Sequence, residues 1–530
     1  MNNTPTCVHR KTLALLLALT TALGPTTLPA FAASRSNGNN PKTATPIRHL
    51  VVIFQENVSF DHYFGTYPVA TNASGEPKFF AAPGTPNVNG LTYTLLNHNP
   101  NLNPANGAGA SNPFRLNRSE AVTPDQDHDY TAEQLAFDAG LMDLFPLNTS
   151  SGGNEVMGYY DGNIVTALWN YAQSFSMSDN SYGTTFGPST PGVMNLVSGQ
   201  TNGVIATLNG TDDEVNGGND GSLTVIGDPD PIGDVCSNST RNQVTMGSKN
   251  IGDLLSAAGV TWGSFMGGFN LNIVNPNGTT GCARSSTGLA GTTADYIPHH
   301  SFFNYWTSTA NYAHTRPSSI AEIGNDGPAN HQYDVRDFYT AAAAGHLPAV
   351  SFLKAPAYQD GHAGYSDPLD EQTFLVNTIN FLQTLPSWSS TAVVIMYDDS
   401  DGWYDHQMGP IVNTSTGPAD ALTGPNACGS GATALPGLNP SNEHALGRCG
   451  YGPRLPLVVV SPWAKRNFVD HTVTDQSSII RFVEDNWLGG QRIGQGSFDG
   501  IANSISQLFD FTKLRTNGVL FLNPSTGERE

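Results

Sequence analysis

Residues 47–68 read IRHLVVIFQENVSFDHYFGTYP. His49–Phe54 is a continuous apolar run of strand length, without the polar alternation of a half-exposed strand, so both of its faces must be covered. Gln55 ends the run, and Glu56 and Asn57 follow it. In open α/β sheets, ligands sit beyond the carboxyl ends of the strands, so this pair is placed where chemistry is done.

The same pattern recurs along the chain. Val260–Met266, Ala349–Leu353, Thr391–Tyr397 and Leu457–Val460 are further short apolar runs. Between them lie helical patterns at Thr131–Phe145, Asn163–Phe175, Asn250–Ala258, Asp334–Ala344, Leu369–Leu385 and Ser477–Trp487. Such alternation predicts an α/β fold with a mainly parallel central sheet and helices on both faces. The stretches 66–125, 200–249 and 407–452 are rich in Gly, Asn, Pro and Thr with weak periodicity, and read as long loops over the site.

Asp398-Asp399 follows the Thr391–Tyr397 run directly, as Glu56-Asn57 follows the first after Gln55. Two such pairs at strand ends can converge on one crevice. Carboxylate and amide oxygens without thiols form a cage for one hard divalent cation, Mg²⁺, Ca²⁺ or Mn²⁺ in preference to Zn²⁺. Each pair alone also has an ordinary reading, as a turn cap or as loop acids. The turn Phe186-Gly187-Pro188-Ser189-Thr190-Pro191-Gly192 leads into a helix and offers a hydroxyl beside free backbone N–H groups. Local sequence does not choose between Ser189 and Thr190, and either could be only a cap. Histidines recur in polar, turn-flanked settings at His128, His299, His300, His362 and His406, candidates for proton transfer and phosphoryl contact.

Residues 1–32 combine a basic start at Arg10 and Lys11, an apolar stretch from Leu13 to Leu23 and Ala30-Phe31-Ala32, the pattern of a cleaved secretory signal, with a linker over 33–46. The expected body is a catalytic domain over 47–515 with a tail over 516–530. No run approaches ~20 uninterrupted apolar residues, so no stable membrane anchor is expected, and a secreted or periplasmic location follows. Cys236, Cys282, Cys428 and Cys449 then form two disulfides, with neighbour pairing the simplest of three connectivities. The net charge is −21, and loss of the leader makes it two units more negative. Such a surface disfavours nucleic acid and anionic membranes. Gly-x-Ser-x-Gly, phosphate-loop and dinucleotide motifs are missing, against lipase-type and nucleotide chemistry.

With these motifs assembled, the chain resembles the bacterial phosphoesterase group of phospholipases C and acid phosphatases, related in fold to alkaline phosphatases. The resemblance rests on 47–68, on FGPSTPGVMNLVSGQTNG (186–203), on MYDDSDGWYDH (396–406) and on GPRLPLVVVSPWAK (452–465). It implies Glu56, Asn57, Ser189, Asp398 and Asp399 as metal ligands and Ser189, not Thr190, as nucleophile. It also implies His128, His300 (in YIPHHSFFNYW) and His362 (in YQDGHAGYSDP) as phosphate-contacting groups, with His299 and His406 matching less closely. A serine where the larger phospholipases C carry threonine, Asp-Asp where they tend to carry Asp-Glu, and a chain that stops soon after the last helix all lean to the acid phosphatase branch. The expectation is phosphomonoester hydrolysis through a phosphoserine, with a phospholipid headgroup as the alternative substrate. A catalytically silent binding protein of the same fold is the third reading, set back because every expected position is filled.

Overall fold

The computed structural model describes residues 42–217, 222–422, 428, 435–438, 446–516 and 518–530. Residues 1–32, read as a secretory leader, and most of the stretch read as a linker lie outside them. Eight strands form the main sheet: β1 (His49–Gln55), β2 (Ser176–Ser178), β3 (Trp262–Met266), β4 (Gln332–Asp334), β5 (Val350–Lys354), β6 (Thr391–Tyr397), β7 (Leu457–Val460) and β8 (Phe468–Asp470). Their spatial order is β4-β3-β5-β1-β6-β7-β2-β8. Only β7 runs against the others, pairing antiparallel with both β6 and β2. All five apolar runs read as strands are in this sheet, at its centre. Ile53 of β1 lies between Leu353 and Ile395, and Gln55 lies opposite Tyr397, so β1 and β6 end level. Every residue of β5, β6 and β7 is buried, as a sheet covered on both faces requires.

Helix Ser477–Trp487 packs on helix Ser189–Ser198, which also contacts helix Ile251–Ala257. Helix Pro368–Gln383 starts from Asp367, whose carboxylate accepts from Leu369 N and Asp370 N, and sends Glu371 inward to the level strand ends. There Glu371 accepts hydrogen bonds from Tyr397 Oη (2.6 Å) and Tyr63 Oη (3.0 Å). Residues 518–530 lie along the same helix, with Asn380 Nδ2 donating to Leu522 O.

The pattern read as one helix over Thr131–Phe145 is two, Tyr130–Phe137 and Phe145–Asn148. Asp138 and Ala139 adopt left-handed backbone between them, which breaks the hydrogen-bond ladder. Residues 200–249, read as a loop, carry the strands of a five-stranded sheet, among them Asn202–Leu208 and Gln243–Met246, joined by Gly- and Asn-rich turns. The disulfides are Cys236–Cys282 and Cys428–Cys449, the neighbour pairing. Among the described residues no helix is long and apolar enough to cross a membrane.

Beyond β1, Ser59 caps the short helix Phe60–Phe64, and His62 on that helix is buried. Its Nδ1–H donates to Gly158 O (2.8 Å), and its ring stacks on Trp403 at 3.9 Å. Burial takes its pKa down to about 3. The unfolded chain therefore binds a proton near pH 6.5 that the folded chain refuses until about pH 3, so stability falls as pH falls through that window. At pH 5 the loss from this one group is about 2 kcal/mol. Urea unfolding of His62→Phe should show a correspondingly shallower decline from pH 7 to 5; an unchanged slope would remove His62 as its source.

Candidate active site

The carboxyl ends of β1, β5 and β6 carry Glu56-Asn57, Lys354 and Asp398-Asp399. Asn57 turns the chain with a left-handed φ of 48°, and Val58 N donates to Asp399 O (3.1 Å), tying the two ends together. Asp398 Oδ1 accepts from Asn57 N (3.2 Å) and from Asp399 N (2.9 Å).

Ser189 reaches this edge from the first turn of its helix. Gly192, one turn on, lies against Asp398, and a Cβ there would come within 2.4 Å of the Asp398 carbonyl oxygen. A glycine inside a helix costs about 0.5–1 kcal/mol relative to alanine, but only glycine permits this approach. Ser189 Oγ thereby donates to Glu56 Oε2 (3.2 Å) and Asp399 Oδ2 (3.3 Å). Thr190 points elsewhere: its Oγ1 donates to His299 O (3.3 Å) and its N–H to Asp228 Oδ1 (2.8 Å). The structure thus separates two hydroxyls that local sequence left equivalent. Glu133 braces the loop, accepting from Gly187 N (3.1 Å) and Ser400 Oγ (2.7 Å), with burial pushing its carboxyl up to about 8.

Three histidines gather beside Glu56 and Asn57. His300 Nδ1 is 3.1 Å from Glu56 Oε1, and His128 Nε2 is 3.3 Å from Asn57 Nδ2. His362 lies beside both, with ring centroids 6.5 Å from His300 and 6.0 Å from His128. Burial, reinforced by His299 and Lys354, holds His300 well below the ordinary histidine range, and burial takes His362 down to about 4. Burial opposes charge on His128 too, but Asp399 and Asp401 outweigh it and raise His128 well above that range. His299 flanks the group, with Nδ1 3.5 Å from Asp230. His406 is not brought to it. Its Nδ1 bonds Asp61 (2.6 Å) within a buried network of Asp61, Asp405 and Arg454.

Lys354 escaped the sequence reading. It ends β5, its side chain is 2% exposed, and its ammonium forms an ion pair with Glu56 Oε1 and lies 3.4 Å from Asp398 Oδ2. Burial opposes its charge, yet Asp398, Glu56 and Asp360 raise it. The strand-end rule that selected Glu56 and Asp398 applies equally to Lys354, one residue past the apolar run. Asp360, Asp401, Glu133 and Asp228 also went unread.

The donor set suits a hard divalent cation. Glu56, Asp398, Asp399 and Ser189 present buried oxygens, and Asn57 Oδ1 is buried without a hydrogen-bond partner, as a carbonyl reserved for a cation would be. Burial and then Asp398 raise Glu56 well above the usual carboxylate range. Burial, partly offset by His128, likewise raises Asp399. One lysine does not balance this crowd of acids, and a divalent charge would relieve it.

The whole arrangement lies within a stretch shared with other proteins: residues 47–488 match the phosphoesterase family. The chain is 25% identical over 465 residues to a non-hemolytic phospholipase C of Pseudomonas aeruginosa, covering 86% of this chain and 56% of that one. It is 24% identical over 499 residues to phospholipase C A of Mycobacterium tuberculosis, covering 91% of this chain and 81% of that one. A non-hemolytic phospholipase C of Burkholderia pseudomallei matches at 25% over 468 residues. The chain spans about half the length of the Pseudomonas and Burkholderia relatives, 56% in each case. Among solved structures, murine ectonucleotide pyrophosphatase/phosphodiesterase 5 is matched at a TM-score of 0.30 and 11% identity, over 65% of this chain and 95% of that one, a likeness too loose to bear weight. With the family's stretch running from β1 to the end of the last long helix, the chain belongs to the phosphoesterase family.

Proposed function

We propose that this protein is an exported phosphoester hydrolase that uses Ser189 as nucleophile and cleaves phospholipid headgroups in the manner of a phospholipase C. The observation that carries the chemistry is Ser189 Oγ held between Glu56 and Asp399 beside the unpartnered Asn57 carbonyl. The relatives' names support the substrate class. Glu56, Asn57, Asp398 and Asp399 would hold a divalent cation, which supplies positive charge to an ionised serine and to the phosphoryl oxygens.

Ser189 Oγ, its proton lent to the Asp399 carboxylate until the serine is released, attacks phosphorus in line, so the Ser–O–P bond forms as the bond to the leaving oxygen breaks. His128 gives that oxygen a proton; its side chain is 12% exposed against 3% for His300, so it stands at the mouth of the site. His300 and His362 line the phosphoryl pocket behind it. Water then attacks the phosphoserine, His128 takes back a proton, and Ser189 is released. Export is supported by the pairing of all four cysteines beyond the leader.

Phosphomonoester hydrolysis is the second reading, favoured by the serine at 189 and the Asp398-Asp399 doublet. A panel of phosphatidylcholine, a phosphodiester and p-nitrophenyl phosphate, assayed before and after chelation, separates the two. Release of phosphocholine, lost on chelation and restored by one cation, is expected. Turnover of the monoester alone would establish the second reading, and activity indifferent to chelation would remove the cation.

A further inference from the structure

The chain carries 44 acidic and only 23 basic residues, yet four of the basic ones meet in one place. Lys465, Arg466, Lys513 and Arg515, with Ala464 and Asp510, line a cavity of about 360 Å³. Backbone bonding draws the two contributing segments together: Lys465 N donates to Leu508 O (2.9 Å), Asp510 N to Trp463 O (2.8 Å) and Arg515 N to Pro462 O (3.0 Å).

The reversed direction of β7 sets where this cavity lies. Val460, at the end of β7, pairs with Val393 near the start of β6, and Ser461 Oγ donates to Thr391 O (2.9 Å). The basic cavity is therefore at the amino ends of the parallel strands. Ser189 and its carboxylates are at the carboxyl ends, the length of β6 away, roughly 20 Å.

The four cations are only partly offset from within, by Asp510, whose carboxyl is lowered by Thr512 with help from Lys513 and Lys465. Among the described residues none has a carboxylate oxygen within 4.0 Å. The one acid present, Asp510, commits Oδ1 to Thr512 N (3.1 Å) and Thr512 Oγ1 (2.6 Å). Arg515 is fixed instead by the face of Phe175, 5.0 Å below its guanidinium, and by one bond to Ala464 O (3.4 Å). The Lys465 ammonium sits 4.2 Å over Phe468. Burial and then Arg466 push Arg515 below the ordinary arginine range. Like charges gathered in this way repel one another, and an anion between them lifts that cost. Planar guanidinium forks and rotatable ammoniums together match an anion with several oxygens pointing in different directions.

We propose that this cavity is a second anion site, which takes free phosphate in its doubly charged form and works independently of the Ser189 crevice. Its small volume and its place on the edge away from the crevice favour a dissolved ion over a membrane surface, since docking here would turn the crevice away from the bilayer. The inference does not depend on the reaction proposed above.

The test is calorimetric titration of inorganic phosphate into the full chain with chelator present, for the wild type, a Lys465→Gln/Arg466→Gln double variant and Lys513→Gln. Arg466 and Lys513 are exposed and Lys465 is half-buried, so these changes should leave folding and turnover as they were. Phosphate affinity should fall at least tenfold in the double variant and severalfold in Lys513→Gln, while whichever phosphoester hydrolysis the wild type shows is retained. Equal phosphate affinity in wild type and double variant would overturn the site. So would binding to phosphatidylglycerol vesicles that depends on Lys465 and Arg466 while dissolved phosphate fails to bind, because the cavity would then be a lipid-facing surface.

Discussion

Ser189→Ala should lose at least about 10³-fold in turnover while remaining folded, since removing a nucleophile abolishes the covalent route altogether. The structural cost is small: its two hydrogen bonds, at 3.2 and 3.3 Å, are long, and such bonds contribute on the order of 1 kcal/mol each at most. Ser189→Thr keeps a hydroxyl on the same Cβ and should retain measurable turnover. Thr190→Ala should be near neutral, because that hydroxyl faces His299 O and not the carboxylates. The decisive measurement is acid-quench trapping of labelled phosphate on the wild type, with mapping of the label to residue 189. Full activity in Ser189→Ala would dismiss the serine, and label found elsewhere would move the nucleophile.

Lys354→Met should destabilise the protein by about 3–5 kcal/mol in chelator, the scale for removing one partner of a buried charge pair. Here the deficit is shared, because Glu56 and Asp398 both lean on the ammonium and Asp360 adds to its field. Added divalent cation should restore part of the loss by supplying the missing positive charge, and it should restore more in the variant than it adds to the wild type. Urea midpoints with chelator and with calcium give both quantities. Equal midpoints for variant and wild type in chelator would show that the lysine is incidental to the carboxylates.

The sheet was legible because its central strands are buried on both faces and so read as unbroken apolar runs. The strands that escaped, Ser176–Ser178, Gln332–Asp334 and Phe468–Asp470, have three residues each, too few to show any period. The smaller sheet within 200–249 was hidden for a related reason: its strands run from two to seven residues, and glycines and asparagines interrupt any alternation. In the site, strand-end position marked Glu56-Asn57 and Asp398-Asp399 from the residues alone. The two hydroxyls could not be separated that way, since the choice depends on a helix packed against a distant strand end. Lys354, one residue past the Ala349–Leu353 run, was passed over, because nothing local reveals that three acids from other segments surround it. His406 follows the Asp398-Asp399 segment closely, yet its ring is drawn off by Asp61 and Arg454, partners far away in sequence.

Because no side chain fits between Gly192 and the Asp398 carbonyl, the serine helix and the acidic loop meet along a rigid seam. Evolution has little freedom to retune such a site from that side, where any added atom would push the hydroxyl out of reach of its carboxylates. Room for change lies instead around His128 and His299, which are less deeply buried than the seam.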